Sequence, residues 1–246
     1  MIADLMPSTA ACAEAFEDSG EEDALFPEER ALLGRSVEKR RREFATVRAC
    51  ARRALADLGL PPAPVLPGVR NAPRWPDGVV GSMTHCDGYR AAVLARSADL
   101  LAIGIDAEPD LPLPGGVRDS IALPAEQAWL RRADARRQPG PAHWDRLLFS
   151  AKEAVYKTWY PMMRTELDFG DAEITFGVDE FPASAESTTG TFDARLLRPA
   201  RGPHGRDVTA FTGRWAAGRG LLVTAIAYTA FSPSVPPVAS GRSHPV

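Results

Sequence analysis

The chain has 246 residues, enough to bury a hydrophobic core as one large domain or two small ones. Its hydrophobic content of 45% is ordinary for a soluble globular protein, and its net charge of −3 argues against nonspecific nucleic-acid binding. Three cysteines without CxxC spacing exclude a disulfide framework and favour a reducing cytoplasm. We expect no signal peptide and no membrane segment, because the longest apolar stretch, 221–231, is too short for a membrane helix.

The chain begins with a marked charge reversal. Residues 1–29 contain nine acidic residues and no basic residue, which predicts a loosely structured leader with one or two docked hydrophobic side chains. Nine basic residues follow between positions 30 and 53. Apolar residues at helical spacing predict a helix here, capped by Ser36 and stopped at Gly59.

Several arginines share one face of this predicted helix. Arg41, Arg48 and Arg52 align at helical spacing, and Arg40 lies close by. Such a face is either a solvated basic surface or part of a pocket for a polyanionic ligand, in which guanidinium groups grip phosphates. The helix by itself leaves both interpretations open.

Three strands are predicted next, at 79–85, 89–95 and 100–107. The first ends in Thr84 and His85, where a ligand contact is credible. Asp106 and Glu108 lie on one face of the third strand because side chains alternate along a strand. Two such carboxylates repel each other unless a cation lies between them, and hard oxygen ligands favour Mg²⁺ or Mn²⁺.

A proline- and glycine-rich crossing at 109–116 gives a predicted boundary between two α+β halves, residues 1–110 and 111–232. The second half should hold helices at 124–133 and 142–160, the latter ended by Pro161. Strands are expected at 172–176, 191–197, 209–216 and 221–228, and residues 233–246 read as a disordered tail.

The helix at 142–160 carries the most informative residues. Its apolar stripe includes Ala151 and Val155, and Glu153 projects away from that stripe with Lys157 one turn further on. Only three of the 29 basic residues are lysines, and two of them, Lys152 and Lys157, lie here. A lysine suits a phosphate contact or a proton transfer, although an exposed Glu–Lys pair also supports helices in general.

Together these motifs resemble the Sfp-type 4′-phosphopantetheinyl transferases, and their actinobacterial branch in particular. The resemblance runs from about residue 35 to 228 and rests on Thr-His at 84–85, Gly-Ile-Asp-Ala-Glu at 104–108 and Phe-Ser-Ala-Lys-Glu-Ala-Val-Tyr-Lys at 149–157. It implies a cytoplasmic monomer of two pseudo-twofold-related α+β halves with the active site in the cleft between them. It also implies transfer of phosphopantetheine from coenzyme A to a serine of an acyl or peptidyl carrier protein, with release of adenosine 3′,5′-bisphosphate.

The resemblance also assigns roles to residues of this chain. Glu153 and Lys157 would be catalytic, and Asp106, Glu108 and Glu153 would bind Mg²⁺, with Mn²⁺ as a substitute. Coenzyme A would be held by a larger set, namely Arg40, Arg48, Arg70, Thr84, His85, Asp106 and Lys152.

One motif of the wider family is missing. Many members have Gly-Lys-Pro before the strand at 79–85, where this chain has Asn71-Ala72-Pro73, so Arg70 or Arg74 would have to replace the lysine. Two alternatives use similar residues: a metal-dependent nuclease or phosphatase, and a noncatalytic module that binds coenzyme A or a carrier protein. The nuclease is disfavoured by the four-residue spacing of Glu153 and Lys157. The module is disfavoured because plain binding does not need the full carboxylate and lysine set.

Overall fold

The computed structural model describes residues 1–18, 22–136, 141–179, 187–203 and 205–229 and shows a mixed α+β fold. Its helices are α1 Pro27–Leu33, α2 Glu38–Asp57, α3 Val117–Ile121, α4 Pro124–Arg136 and α5 Trp144–Met163. Its strands are β1 Ala11–Ala15, β2 Leu66–Pro67, β3 Pro73–Arg74, β4 Val79–Cys86, β5 Tyr89–Arg96, β6 Ala102–Pro109, β7 Ala172–Val178, β8 Ser187–Arg201, β9 Asp207–Gly218 and β10 Leu221–Tyr228. The predicted tail at 233–246 lies outside the described residues.

The first half packs one long helix on a small sheet. The strands are ordered β1-β5-β4, all antiparallel, and α2 lies across them. Cys50, Ala54 and Leu55 of α2 are completely buried and pack with Ala92 and Leu94 of β5. Burial of this helical stripe drives the packing, because a fully buried large apolar side chain such as Leu55 contributes about 1.5–3 kcal/mol.

The second half repeats the arrangement on a larger scale. Its five strands are ordered β6-β10-β9-β8-β7, and α5 packs against β6 and β10. Leu147, Ala151 and Val155 of α5 are buried in a core that also contains Trp215 and Phe192. Each half is thus a long helix on an antiparallel sheet, and an actual pseudo-twofold relation between them stays a prediction.

Strand pairing assigns β6 to the second sheet, since β6 bonds along its length to β10. The division at residue 110 places β6 with the first half, whereas a division by strand pairing falls between β5 and β6. Side-chain hydroxyls join the two sheets: Ile105 N donates to Ser82 Oγ at 3.1 Å, and Ala107 N donates to Thr84 Oγ1 at 3.1 Å. These contacts keep β4 and β6 side by side.

The predicted strands and long helices are confirmed, with ends shifted by a few residues. The loosely structured leader is wrong: β1 pairs with β5, Ile2 is fully buried, and Glu29 of α1 has no exposed surface. A carboxylate so buried must be bonded, and Glu29 Oε1 accepts from Val65 N at 2.8 Å while Oε2 accepts from Arg52 at 3.1 Å.

Two helix ends also differ from prediction. Val37, rather than Ser36, precedes the first turn of α2, and it makes no side-chain cap. Pro161 does not end α5, which continues to Met163. Pro161 lacks a backbone donor, yet the helix continues past it for two residues. The last turn closes where Arg164, in a left-handed conformation, donates its N–H to Tyr160 O at 2.9 Å.

Candidate active site

A cleft of about 570 Å³ runs between α2 and β4 on one side and α5 on the other. The α5 wall presents four polar or aromatic side chains at helical spacing, followed by a proline: Glu153, Tyr156, Lys157, Tyr160 and Pro161. The opposite wall includes Arg40, Glu43, Phe44, Arg48, Arg70 and His85. Both predicted catalytic residues and four of the seven predicted coenzyme A ligands therefore line one cavity. The other three predicted ligands, Thr84, Asp106 and Lys152, are not among its lining residues.

Close approach of β6 to α5 brings the acidic strand against Lys157, which lines the cleft. A Cβ atom at Gly104 would lie 2.0 Å from the carbonyl oxygen of Ala154 and 2.2 Å from Thr158 Oγ1, so the approach requires glycine. Asp106 lies two residues further along the same strand. Its Oδ1 accepts a hydrogen bond from Lys157 Nζ at 2.7 Å, which joins the strand motif to the helix motif.

Asp106 is buried, and only one of its two carboxylate oxygens has a hydrogen-bond partner among the described residues. Thr84 Oγ1 also donates to Oδ1, at 3.4 Å, while Oδ2 is buried without a hydrogen-bond partner among the described residues. An unpaired buried carboxylate oxygen is costly, and a cation is one way to satisfy it. Thr84 itself is buried, is bonded to β6 and does not line the cleft, so it supports Asp106 there. Its contact with coenzyme A stays a prediction.

The other two carboxylates feel the charge of Asp106. Burial raises the pKa of Glu153, and Asp106 raises it further while Lys157 opposes the rise. Burial likewise raises the pKa of Glu108, with the charge of Asp106 adding and Arg146, which donates to Glu108 Oε2 at 2.9 Å, opposing. Asp106 is therefore close enough to Glu108 and to Glu153 to repel each of them, which is the condition that a divalent cation relieves.

These carboxylates do not form a closed metal cage. Within the described parts of the chain, no three His, Cys, Asp or Glu side chains already converge as a metal site. The hard oxygen donors and the unbonded Asp106 Oδ2 nevertheless suit Mg²⁺, which needs only one or two carboxylates when substrate phosphates and waters complete its shell. The residues therefore fit a divalent cation, with Asp106 as its anchor.

Lys152 is buried and does not line the cleft, so its role as a coenzyme A ligand stays a prediction that its surroundings do not support. Its ammonium donates to the carbonyl oxygens of Ile121, Phe169 and Ala172 at 2.8–3.0 Å and pairs with Glu126 at 2.8 Å. Burial lowers its pKa, and Glu126 opposes that shift. With its donors occupied in the core, Lys152 has none left for a phosphate.

The predicted phosphate-binding arginines differ in their surroundings. Arg40 is exposed at the cleft, whereas Arg48 is buried with its guanidinium carbon 3.2 Å from the ring centre of Phe44, and burial lowers its pKa to about 10. Arg41 and Arg52 pair with the acidic residues Glu22 and Glu29. The basic face of α2 is thus largely neutralised by the N-terminal segment, and only part of it faces the cleft.

Arg70 and His85 complete the mouth of the cleft. Arg70 lines it and forms an ion pair with Glu166 from the loop after α5. Arg74, the other candidate to replace the missing lysine, is not among the residues that line the cleft. Burial lowers the pKa of His85, and the neighbouring cations add to this effect while Glu43, 3.9 Å from Nδ1, opposes it.

Sequence reasoning missed three residues around the site. Tyr156 lies three positions after Glu153, and Glu43 three positions after Arg40, so helical spacing could have found both. Arg146 follows the same rule, since it lies seven positions before Glu153 on α5. Helical spacing places these residues on the same side as the predicted site, and the opposing wall of the cleft is needed to separate them from ordinary surface side chains.

Comparison with known proteins identifies the family of the chain. The family model described as the 4′-phosphopantetheinyl transferase N-terminal domain matches residues 28–95, and that of the 4′-phosphopantetheinyl transferase superfamily matches residues 102–198. The gap between the two matches coincides with the division between β5 and β6.

Curated relatives cover nearly the whole chain. The 4′-phosphopantetheinyl transferase Svp of Streptomyces mobaraensis is 56% identical over 94% of this chain and 90% of its own length. PptT of Mycobacterium tuberculosis is 48% identical over 92% of this chain and 97% of its own length. Npt of Nocardia iowensis is 48% identical over 93% of this chain and 100% of its own length. The chain therefore belongs to the 4′-phosphopantetheinyl transferase family, in the group of these actinobacterial enzymes.

Proposed function

We propose that this transferase moves the 4′-phosphopantetheine group of coenzyme A to a serine of acyl or peptidyl carrier proteins and releases adenosine 3′,5′-bisphosphate. The observation that carries the proposal is the Lys157–Asp106 contact of 2.7 Å beside Glu153, at the wall of a cleft lined opposite by Arg40, His85 and Arg70. One wall offers groups for proton transfer, and the other offers cations for phosphates.

A divalent cation, Mg²⁺ or Mn²⁺, would be held by Asp106, Glu108 and Glu153. When bound, it neutralises charge on the pyrophosphate and orients its oxygens. The unbonded Oδ2 of Asp106 and the repulsion of Glu108 and Glu153 by Asp106 support this assignment. Magnesium dependence would appear as loss of activity in EDTA and its return on adding MgCl₂.

The protein groups then have distinct tasks. Glu153, directly or through a water, accepts the proton of the carrier serine, and its raised pKa makes it a stronger base than an exposed carboxylate. Lys157 donates a hydrogen bond or a proton to the departing phosphate oxygen, while Asp106 holds its ammonium in place. Contacts that strengthen as charge develops on the phosphate accelerate transfer.

Coenzyme A binding is assigned to the opposite wall. Arg40, Arg70 and His85 would contact phosphate groups, and Arg48 with Phe44 would form an apolar and cationic surface beside them. Arg70 is the proposed replacement for the missing lysine because it reaches the cleft. Its ion pair with Glu166 is exposed, so a phosphate can compete for the guanidinium at small cost.

The finer assignments concern partners and setting. We expect carrier domains of fatty-acid, polyketide or nonribosomal peptide synthases as substrates, a cytoplasmic monomer, and no nucleic-acid or membrane partner. Along the described parts of the chain, none of the helices is long and apolar enough to span a membrane. Light scattering after size exclusion measures the oligomeric state, and a stable dimer would contradict the monomer.

The deciding experiment is the intact mass of a purified apo carrier protein after incubation with this protein, coenzyme A and MgCl₂. A gain of about 340 Da that EDTA prevents is expected, since a phosphopantetheine group would have been added covalently. Coenzyme A binding without any mass gain on several carrier types would favour the noncatalytic module. Absence of both would return attention to a nuclease or phosphatase.

A further inference from the structure

The crossing after β6 is fastened to the start of α5. Asp110 accepts hydrogen bonds from Ala142 N and His143 N, each at 2.9 Å, and Asp145 accepts one from Leu113 N at 3.3 Å. These contacts connect the end of the strand that carries Asp106 and Glu108 to the helix that carries Glu153. The relative position of the carboxylates therefore depends on this junction.

Arg146 is the central member of the junction. Its Nε donates to Leu111 O at 3.0 Å and its Nη2 donates to Pro112 O at 2.8 Å. Its Nη1 donates to Glu108 Oε2 at 2.9 Å, and both side chains are largely buried. The guanidinium is thus fixed by two backbone carbonyls that are independent of the carboxylate it holds.

The hydrogen bonds of Arg146 fix the orientation of the Glu108 carboxylate, which the backbone alone does not fix. Glu108 is the penultimate residue of β6, so its long side chain has several rotamers available beside the crossing. Because two carbonyl groups hold Arg146 in place, it selects one of these rotamers, the one in which Glu108 Oε2 accepts its hydrogen bond. The other oxygen, Oε1, is then free to serve a cation.

We propose that Arg146 is a positioning residue that fixes the Glu108 carboxylate for the divalent cation of the active site. The inference rests on the proposed metal-dependent function and adds a residue outside the motifs at 104–108 and 149–157. Hydrogen bonds to ligating carboxylates commonly change metal affinity by about 10–100-fold when removed.

If Arg146 acted through its charge alone, it would weaken metal binding instead of supporting it. This difference makes the proposal testable. A cation beside Glu108 repels a divalent ion, so an arginine acting by charge only would weaken metal binding, and its removal would strengthen it. An arginine acting by orientation would strengthen metal binding, and a lysine could not replace it. Lysine presents one ammonium and cannot reproduce the rigid fork that reaches two carbonyls and a carboxylate together.

The experiment compares Arg146→Gln and Arg146→Lys with wild type by Mn²⁺ titration followed by electron paramagnetic resonance, with and without coenzyme A. We expect both variants to bind Mn²⁺ about 10-fold or more weakly. Coenzyme A affinity without metal should stay at the wild-type level. At saturating Mg²⁺, kcat should recover in part while the apparent KM for Mg²⁺ stays raised.

A matched control is Arg195→Gln, which removes an exposed arginine paired with Glu173 on β7 and β8, far along the chain from the junction. It should leave Mn²⁺ binding unchanged. Thermal unfolding of each variant separates a general loss of structure from a specific loss of metal affinity.

Three results would overturn the inference: tighter Mn²⁺ binding by Arg146→Gln, unchanged binding by Arg146→Lys, or no Mn²⁺ binding by wild-type protein. The first two leave the proposed transferase function intact, because that function is read from the mass of the carrier protein. A carrier that gains no mass with wild-type protein would instead count against the function itself.

Discussion

The two faces of α5 each carry a lysine–carboxylate pair of nearly the same length, in opposite surroundings. On the core face, Lys152 lies 2.8 Å from Glu126, and their side chains are 1% and 3% exposed. On the cleft face, Lys157 lies 2.7 Å from Asp106, with 28% and 7% exposed. The first ammonium is surrounded by three further carbonyl acceptors, whereas the second opens onto a cavity.

The difference lies in what each pair leaves unsatisfied. Glu126 accepts backbone hydrogen bonds from Leu123 and Ile174, so the core pair is complete and supports the loops around it. Asp106 keeps one buried oxygen without a partner among the described residues. A saturated pair contributes to the fold, and an unsaturated pair beside a cavity is available for ligands and chemistry.

The largest expected effect is on the cleft face, with Glu153→Gln. The amide keeps the size of the side chain but cannot accept the serine proton, so kcat should fall by about 10²–10⁴-fold. The thermal midpoint should change by only a few degrees, since Glu153 is half-buried and its raised pKa shows that the charge is not strongly stabilised there. Carrier mass gain against time measures the rate, and a near-wild-type rate would remove Glu153 from the mechanism.

The core face is tested by Lys152→Met, which should lower the free energy of unfolding by about 3–5 kcal/mol because Glu126 is left as an uncompensated buried charge. Denaturant unfolding measures this change. The coenzyme A affinity of the folded protein should stay near the wild-type value.

The control is the double variant Lys152→Met with Glu126→Gln, which removes both charges and should regain part of the lost stability. If Lys152→Met instead lost much of its coenzyme A affinity and kept wild-type stability, that result would support the predicted role of Lys152 as a coenzyme A ligand. It would also erase the contrast between the two faces.

The smallest expected effect is a change in the pKa of His85, which lies on the cleft wall opposite Lys157. Burial and nearby cations lower the pKa of His85 below its usual 6.5, while Glu43 favours the imidazolium and opposes them. Glu43→Gln removes that favourable charge, so the pKa of His85 should fall further. Histidine NMR titration measures the midpoint; an increase would mean that Glu43 does not face His85 as described.

Local periodicity was enough to predict several features of the site. A period of 3.6 residues places Glu153 and Lys157 on the side of α5 away from Ala151 and Val155, and the structure has them there. A period of two places Asp106 and Glu108 on one face of β6. These features depend on neighbours within one turn or one strand, so the sequence determines them without knowledge of the partner elements.

Only the tertiary structure decided where the remaining charges go. Lys152 is adjacent to Glu153 in sequence, yet its ammonium lies in a cage built by residues 121–126 and 169–172, which no local pattern reveals. Glu29 belongs to the segment predicted to be a loosely structured leader, and it is buried against Arg52 and Val65. The physical reason is that burial and ion pairing depend on elements that meet only after folding, whereas helix and strand faces depend on the spacing of residues along the chain.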